Sequence, residues 1–166
     1  MIITNDSDMM NALLNISSGA INEVGDYFLK LLKSNIIKIV YGAGRPTTYL
    51  RNRDNGGILG NWYKGPVKRV GNTVEMTIDE EPELMVHDPS MYVHGSKAWY
   101  TDDIRDILAE IIIEGESGTL FSKGEDADWW QMPRDFWTPT FEESDNAVST
   151  RFIRSFKKQG IVLVRD

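Results

Sequence analysis

The chain has 166 residues, 41% of them hydrophobic and 26% charged, with 14 Gly, 6 Pro and no Cys, and carries a formal net charge of −7. That length suits one domain with a substantial core, and the apolar fraction is too high for a wholly disordered chain. The absence of cysteine excludes disulfides, thiol catalysis and cysteine-ligated metal sites, and it fits synthesis in a reducing cytosol.

The first predicted element is a short helix over residues 7 to 16, with Met9, Met10, Leu13, Leu14 and Ile16, broken by Ser17-Ser18-Gly19. It makes residues 1 to 19 an N-terminal arm. A long helix then starts at Ala20. Its apolar residues Ile21, Val24, Phe28, Leu31, Leu32, Ile36 and Ile39 fall in steps of three and four, as one buried face requires. Gly42-Ala43-Gly44 and Pro46 end it. A loop over residues 43 to 60 leads to a hairpin with strands Trp62 to Val70 and Thr73 to Ile78. Gly71-Asn72 is the two-residue turn, of type II′, and Pro66 predicts a bulge or an edge in the first strand. Val74, Met76 and Ile78 alternate with Glu75, Thr77 and Asp79, so one face should be buried and the other wet.

Residues 79 to 100 are a long excursion rich in acids and proline. Thr101 caps a helix that carries Ile104, Ile107, Leu108, Ile111 and Ile112 on one stripe and stops at Gly115. Residues 116 to 137 form a second long loop, pinned by Trp129, Trp130, Phe136 and Trp137. The last helix begins at Thr138-Pro139, buries Phe141, Val148, Phe152 and Phe156, and closes at Gly160. Ile161 to Val164 is a final strand. The expected fold is one α+β domain over residues 1 to 166, with a long N-terminal helix, a small antiparallel sheet, two further helices and a C-terminal strand. The apolar runs, among them Ile39 to Tyr41, Ile111 to Ile113 and Ile161 to Val164, fall far short of the roughly 20 residues of a membrane span. Met1 to Asp6 has no basic region leading into an apolar stretch, so neither a membrane anchor nor a secretory signal is expected.

Charge is segregated along the chain. Residues 28 to 72 hold nine Lys or Arg against the single acid Asp54, whereas residues 73 to 145 hold nineteen acids against four bases. Such blocks make oppositely charged surfaces. They can neutralise one another within a monomer, or join copies head to tail, a contact that closes into a ring when the rotation permits. A basic patch for nucleic acid is a third reading, which the overall −7 opposes.

No motif commits the chain to a reaction. His87 and His94, with Asp88, are the only histidine-based metal candidates, and surface or capping roles account for them. The run Asp79, Glu80, Glu81, Glu83 supplies carboxylates, but paired-carboxylate catalysis needs two in different environments within a cleft. Gly42-Ala43-Gly44 follows a helix and lacks the strand that a phosphate-binding loop requires. No Gly-x-Ser-x-Gly turn is present. We therefore expect no catalytic residues, no cofactor and no metal. A small glycan-acting hydrolase using the loop carboxylates with Trp129 and Trp130, or a nucleic-acid-binding module, is the alternative.

The order of several short motifs carries a resemblance. Tyr49-Leu50-Arg51-Asn52-Arg53 precedes Gly57-Ile58-Leu59-Gly60-Asn61-Trp62 and the hairpin. An acidic helix ends in Glu114-Gly115, and Arg134-Asp135-Phe136-Trp137-Thr138-Pro139 opens the last helix. Over residues 20 to 160 this pattern resembles the neck proteins of tailed bacteriophages, the tail-completion or tail-to-head-joining family. The resemblance implies a virion protein, assembled in the host cytoplasm, that forms a ring of six copies between the head connector or stopper and the tail tube. Genomic DNA passes through the lumen of such a ring without being gripped. Charge pattern and resemblance together place Arg45, Tyr49, Arg51, Arg53, Asp79, Glu80, Glu81, Glu83, Trp129, Trp130 and Arg134 at subunit or partner contacts.

Overall fold

A computed structural model of the chain describes residues 5–42, 58–84, 108–114 and 133–161. Among these residues the helices are α1 (Asp6–Asn35), α2 (Leu108–Glu114) and α3 (Trp137–Lys158). The strands are β1 (Trp62–Lys64), β2 (Lys68–Val70), β3 (Thr73–Glu75) and β4 (Ile78–Glu80). A π-helical turn, Ile36–Tyr41, prolongs α1, and a 3-10 turn, Pro82–Leu84, follows β4. The class is the expected α+β, with a long N-terminal helix, a small antiparallel sheet and a helix towards the C-terminus. The predicted start of the middle helix at Thr101 and the strand residues after Ile161 lie outside the described residues.

The chain divides into two compact units. One comprises Met1–Leu31, Tyr63–Asp79 and Phe141–Asp166; the other comprises Leu32–Trp62 and Glu80–Thr140.

In the first unit, α1 opens on an Asn5 cap, whose Oδ1 accepts the Asp8 N–H at 2.9 Å while Asp6 and Asp8 face the positive helix end. The predicted break at Ser17-Ser18-Gly19 does not occur. The Ser18 hydroxyl donates to the Leu14 carbonyl at 2.7 Å, within the helix. Ala12 and Ala20, on either side of the supposed break, are both buried, so packing on both flanks outweighs the roughly 1 kcal/mol that a mid-helix glycine costs. Residues 5 to 35 are thus one capped helix and not an arm followed by a second helix.

The hairpin has the expected register, with Lys68 opposite Glu75, Arg69 opposite Val74 and Val70 opposite Thr73. Gly71 takes φ +58°, and no other residue of the turn has positive φ, which is the type II′ pattern. Its ladder is interrupted at Pro66, as predicted. Three residues, 65–67, separate β1 from β2, and two, 76–77, separate β3 from β4, the one-residue excess of a bulge. The Gly65 N–H bonds the Thr77 carbonyl at 2.8 Å across this interruption, and β1 pairs with β4 beyond it. Val74, Met76 and Ile78 are half-buried while Glu75, Thr77 and Asp79 are exposed. Strand continues to Glu80, so the loop expected from residue 79 begins later.

The hairpin rests on α1. Lys64 Nζ donates to Asn22 Oδ1 at 2.8 Å and forms an ion pair with Asp26, and Arg69 donates to Asn15. Buried Gly25 leaves room for the Met76 thioether and the Lys64 stem, where any side chain would collide. On α3, Arg151 sits 4.0 Å from the centroid of the Tyr27 ring, and Lys158 pairs with Glu23 at 3.7 Å. The end of α3 is a Schellman motif. Ile161 N–H reaches Phe156 O and Gly160 N–H reaches Lys157 O, with Gly160 at φ +78° as its spacing predicted. Phe141 is not on the inner face: it is 49% exposed, and its ring forms a T-shaped pair with Phe28, at 5.3 Å between centroids. Phe156 is buried, but the other buried positions of this part of α3 are Ser144 and Ser155.

In the second unit the core is Leu32, Ile36, Val40, Tyr41, Ile58, Trp62, Ala109, Ile112 and Phe136, with Asn35, Asn61 and Thr140 buried among them. The π turn changes which residues point inward. Val40, four residues after Ile36, is buried in ordinary helical phase; the wider turn also brings in Tyr41, five residues after Ile36, while Ile39 is half-buried. Gly42 ends this turn in an ordinary right-handed conformation, φ −76°. Glycine is required there because a Cβ would run into the Lys38 carbonyl.

Candidate functional site

The motif residues on either side of the sheet converge in the second unit. Trp62 opens β1, and its indole stacks on Trp137 at 5.1 Å between centroids, 30° from parallel. Phe136 meets the same indole edge-on at 6.1 Å and 77°. Phe136 is fully buried and Trp137 is half-buried; Trp129, Trp130 and residues 116–132 of the loop that these aromatics are expected to pin lie outside the described residues. Residues 133–136 are tied to α2 by the Arg134 N–H, which donates to the Ile112 carbonyl at 2.8 Å. α2 in turn buries Ile112, which the expected stripe includes, and Ala109, which it does not; the side chains of the stripe's other residues lie outside the described ones.

Entry into α3 differs from expectation. Its cap is Asp135 and not Thr138: Asp135 Oδ1 accepts the backbone N–H groups of Trp137 at 2.8 Å and Thr138 at 2.9 Å. Hydrogen bonds from the Thr138 side chain and backbone, reinforced by the Trp137 N–H, hold the Asp135 carboxyl below the ordinary carboxylate range and outweigh a small desolvation effect. Pro139 lies within the first turn, where its missing N–H leaves no helical bond unmade. Thr140 comes next, with its hydroxyl donating to Phe136 O at 2.6 Å and accepting from Asn35 Nδ2 at 3.0 Å. That buried pair joins the end of α1 to the start of α3, and neither residue stands out in the sequence. Asn35 falls one position before Ile36 on the buried stripe, which is the only local signal for it.

The acidic run does not act as one group. Asp79, Glu81 and Glu83 are exposed, whereas Glu80 is half-buried and accepts from Asn61 Nδ2 at 3.3 Å. Strand alternation separates Asp79 from Glu80, and the Glu81 N–H bonds the Asn61 carbonyl at 2.8 Å. Asn61 is fully buried; its Oδ1 and the neighbouring Trp62 Nε1 make no hydrogen bond in the structure. Arg134 is half-buried. Arg45, Tyr49, Arg51, Arg53, Trp129 and Trp130 lie outside the described residues, as do His87, Asp88 and His94. Among the described residues, no three His, Cys, Asp or Glu side chains are grouped so as to hold a metal ion, and no helix is long and apolar enough to cross a membrane.

No protein-family model, curated protein or solved structure matches the chain.

Proposed function

We propose that the chain is a structural subunit of a bacteriophage neck, assembling with copies of itself into a ring that completes or terminates the tail tube and joins it to the head connector. The observation that carries the proposal is the aromatic cluster. Trp62, from the motif before the hairpin, lies more than seventy residues from Phe136 and Trp137, from the motif before the last helix, yet it stacks on Trp137 and meets Phe136 edge-on. The two motifs whose order carries the resemblance therefore belong to one packed feature.

The charge pattern supports the same reading. Exposed Asp79, Glu81 and Glu83 belong to the acidic block, and Arg45, Arg51 and Arg53 belong to the basic block. In a head-to-tail ring each copy offers one block to the next. A net charge of −7 suits a bore through which DNA slides, since like charge keeps phosphates from being held. The function is one of assembly and docking, with no chemical step.

The direct test is to mix the purified chain with isolated tail tubes and image them by negative stain. Added density at tube ends is expected. Bare tube ends under conditions where the chain is folded, together with salt-dependent DNA retardation or cleavage of a glycan, would replace this reading by one of the alternatives.

A further inference from the structure

We draw no further inference here: the strongest candidate, the unpartnered Asn61 Oδ1 and Trp62 Nε1 at the start of β1, belongs to the aromatic cluster already described, and both atoms are sealed from solvent, so no surface is left for a ligand to approach.

Discussion

Replacing Phe136 and Phe141 one at a time by alanine separates the packing seen in the structure from the packing that hydrophobic periodicity alone suggests. Phe136 is 0% exposed and sits edge-on to Trp62. Truncating a buried phenylalanine costs about 3–5 kcal/mol, through lost transfer free energy and the cavity left behind. Taking about 4 kcal/mol and a urea dependence of about 2 kcal/mol per molar, the unfolding midpoint should fall by about 2 M. On heating, a chain of this size loses roughly 2–4 °C per kcal/mol, so Tm should fall by about 8–16 °C. Phe141 is 49% exposed, and its ring meets that of Phe28 in a T-shaped pair. Its removal should cost only about 0.5–1.5 kcal/mol, the worth of one aromatic pair. Urea titrations followed by far-ultraviolet circular dichroism measure both variants, with tryptophan fluorescence reporting on the stacked Trp62 and Trp137. Equal shifts, or a larger shift for Phe141→Ala, would refute the packing described for α3 and for the aromatic cluster.

Other perturbations test separate features. Asp135→Ala should cost about 1 kcal/mol through loss of the helix cap, and Asp135→Asn much less. Because the folded carboxyl titrates below its unfolded value, the stability it adds is fully present above the unfolded pKa of about 4 and is lost as pH falls through the folded value. Urea midpoints measured between pH 6 and pH 2 should show that part of the acid dependence missing from Asp135→Asn. Gly42→Ala forces a Cβ onto the Lys38 carbonyl and should cost about 1–3 kcal/mol, whereas Gly19→Ala enters open space in mid-helix and should add up to about 1 kcal/mol. No gain from Gly19→Ala in a thermal melt would contradict the continuity of α1. Reversing Arg51 and Arg53 to Glu should abolish ring assembly without lowering Tm; rings of unchanged mass in a sizing experiment would remove the basic block from the subunit contact.

The parts of the fold that are legible in the sequence are those set by local chemistry. The steps of three and four through Leu32 and Ile36, the Gly71-Asn72 turn and the Gly160 stop each arise from a periodicity or a backbone conformation that few residues supply. Other features depend on packing that the sequence does not display. Ser17-Ser18-Gly19 reads as a breaker, yet Ala12 and Ala20 are buried on either side of it and the helix continues. The wider turn at Ile36–Tyr41 brings Tyr41, five residues after Ile36, onto the buried face, and no side chain announces it. Thr138-Pro139 looks like a cap followed by a first-turn proline, but the carboxylate of Asp135 reaches the same N–H groups and starts the helix earlier. An apolar stripe would place Phe141 inward, whereas α3 buries the small polar residues Thr140, Ser144 and Ser155. At the candidate site, Phe136 is legible as a pin because a large aromatic beside polar loop residues gains most from burial. Its edge-on partner, Trp62, is legible as a strand residue but not as a member of the same aromatic cluster, since the pairing spans much of the chain.

The central claim is that this chain builds a ring from copies of itself. Light scattering coupled to size exclusion, over a range of protein concentrations and with negative-stain images of the same fractions, tests it most directly. Closed rings whose mass is a multiple of 18.9 kDa are expected, six copies for a neck ring. A folded 18.9 kDa species at every concentration, unchanged when tail tubes are added, would contradict the claim.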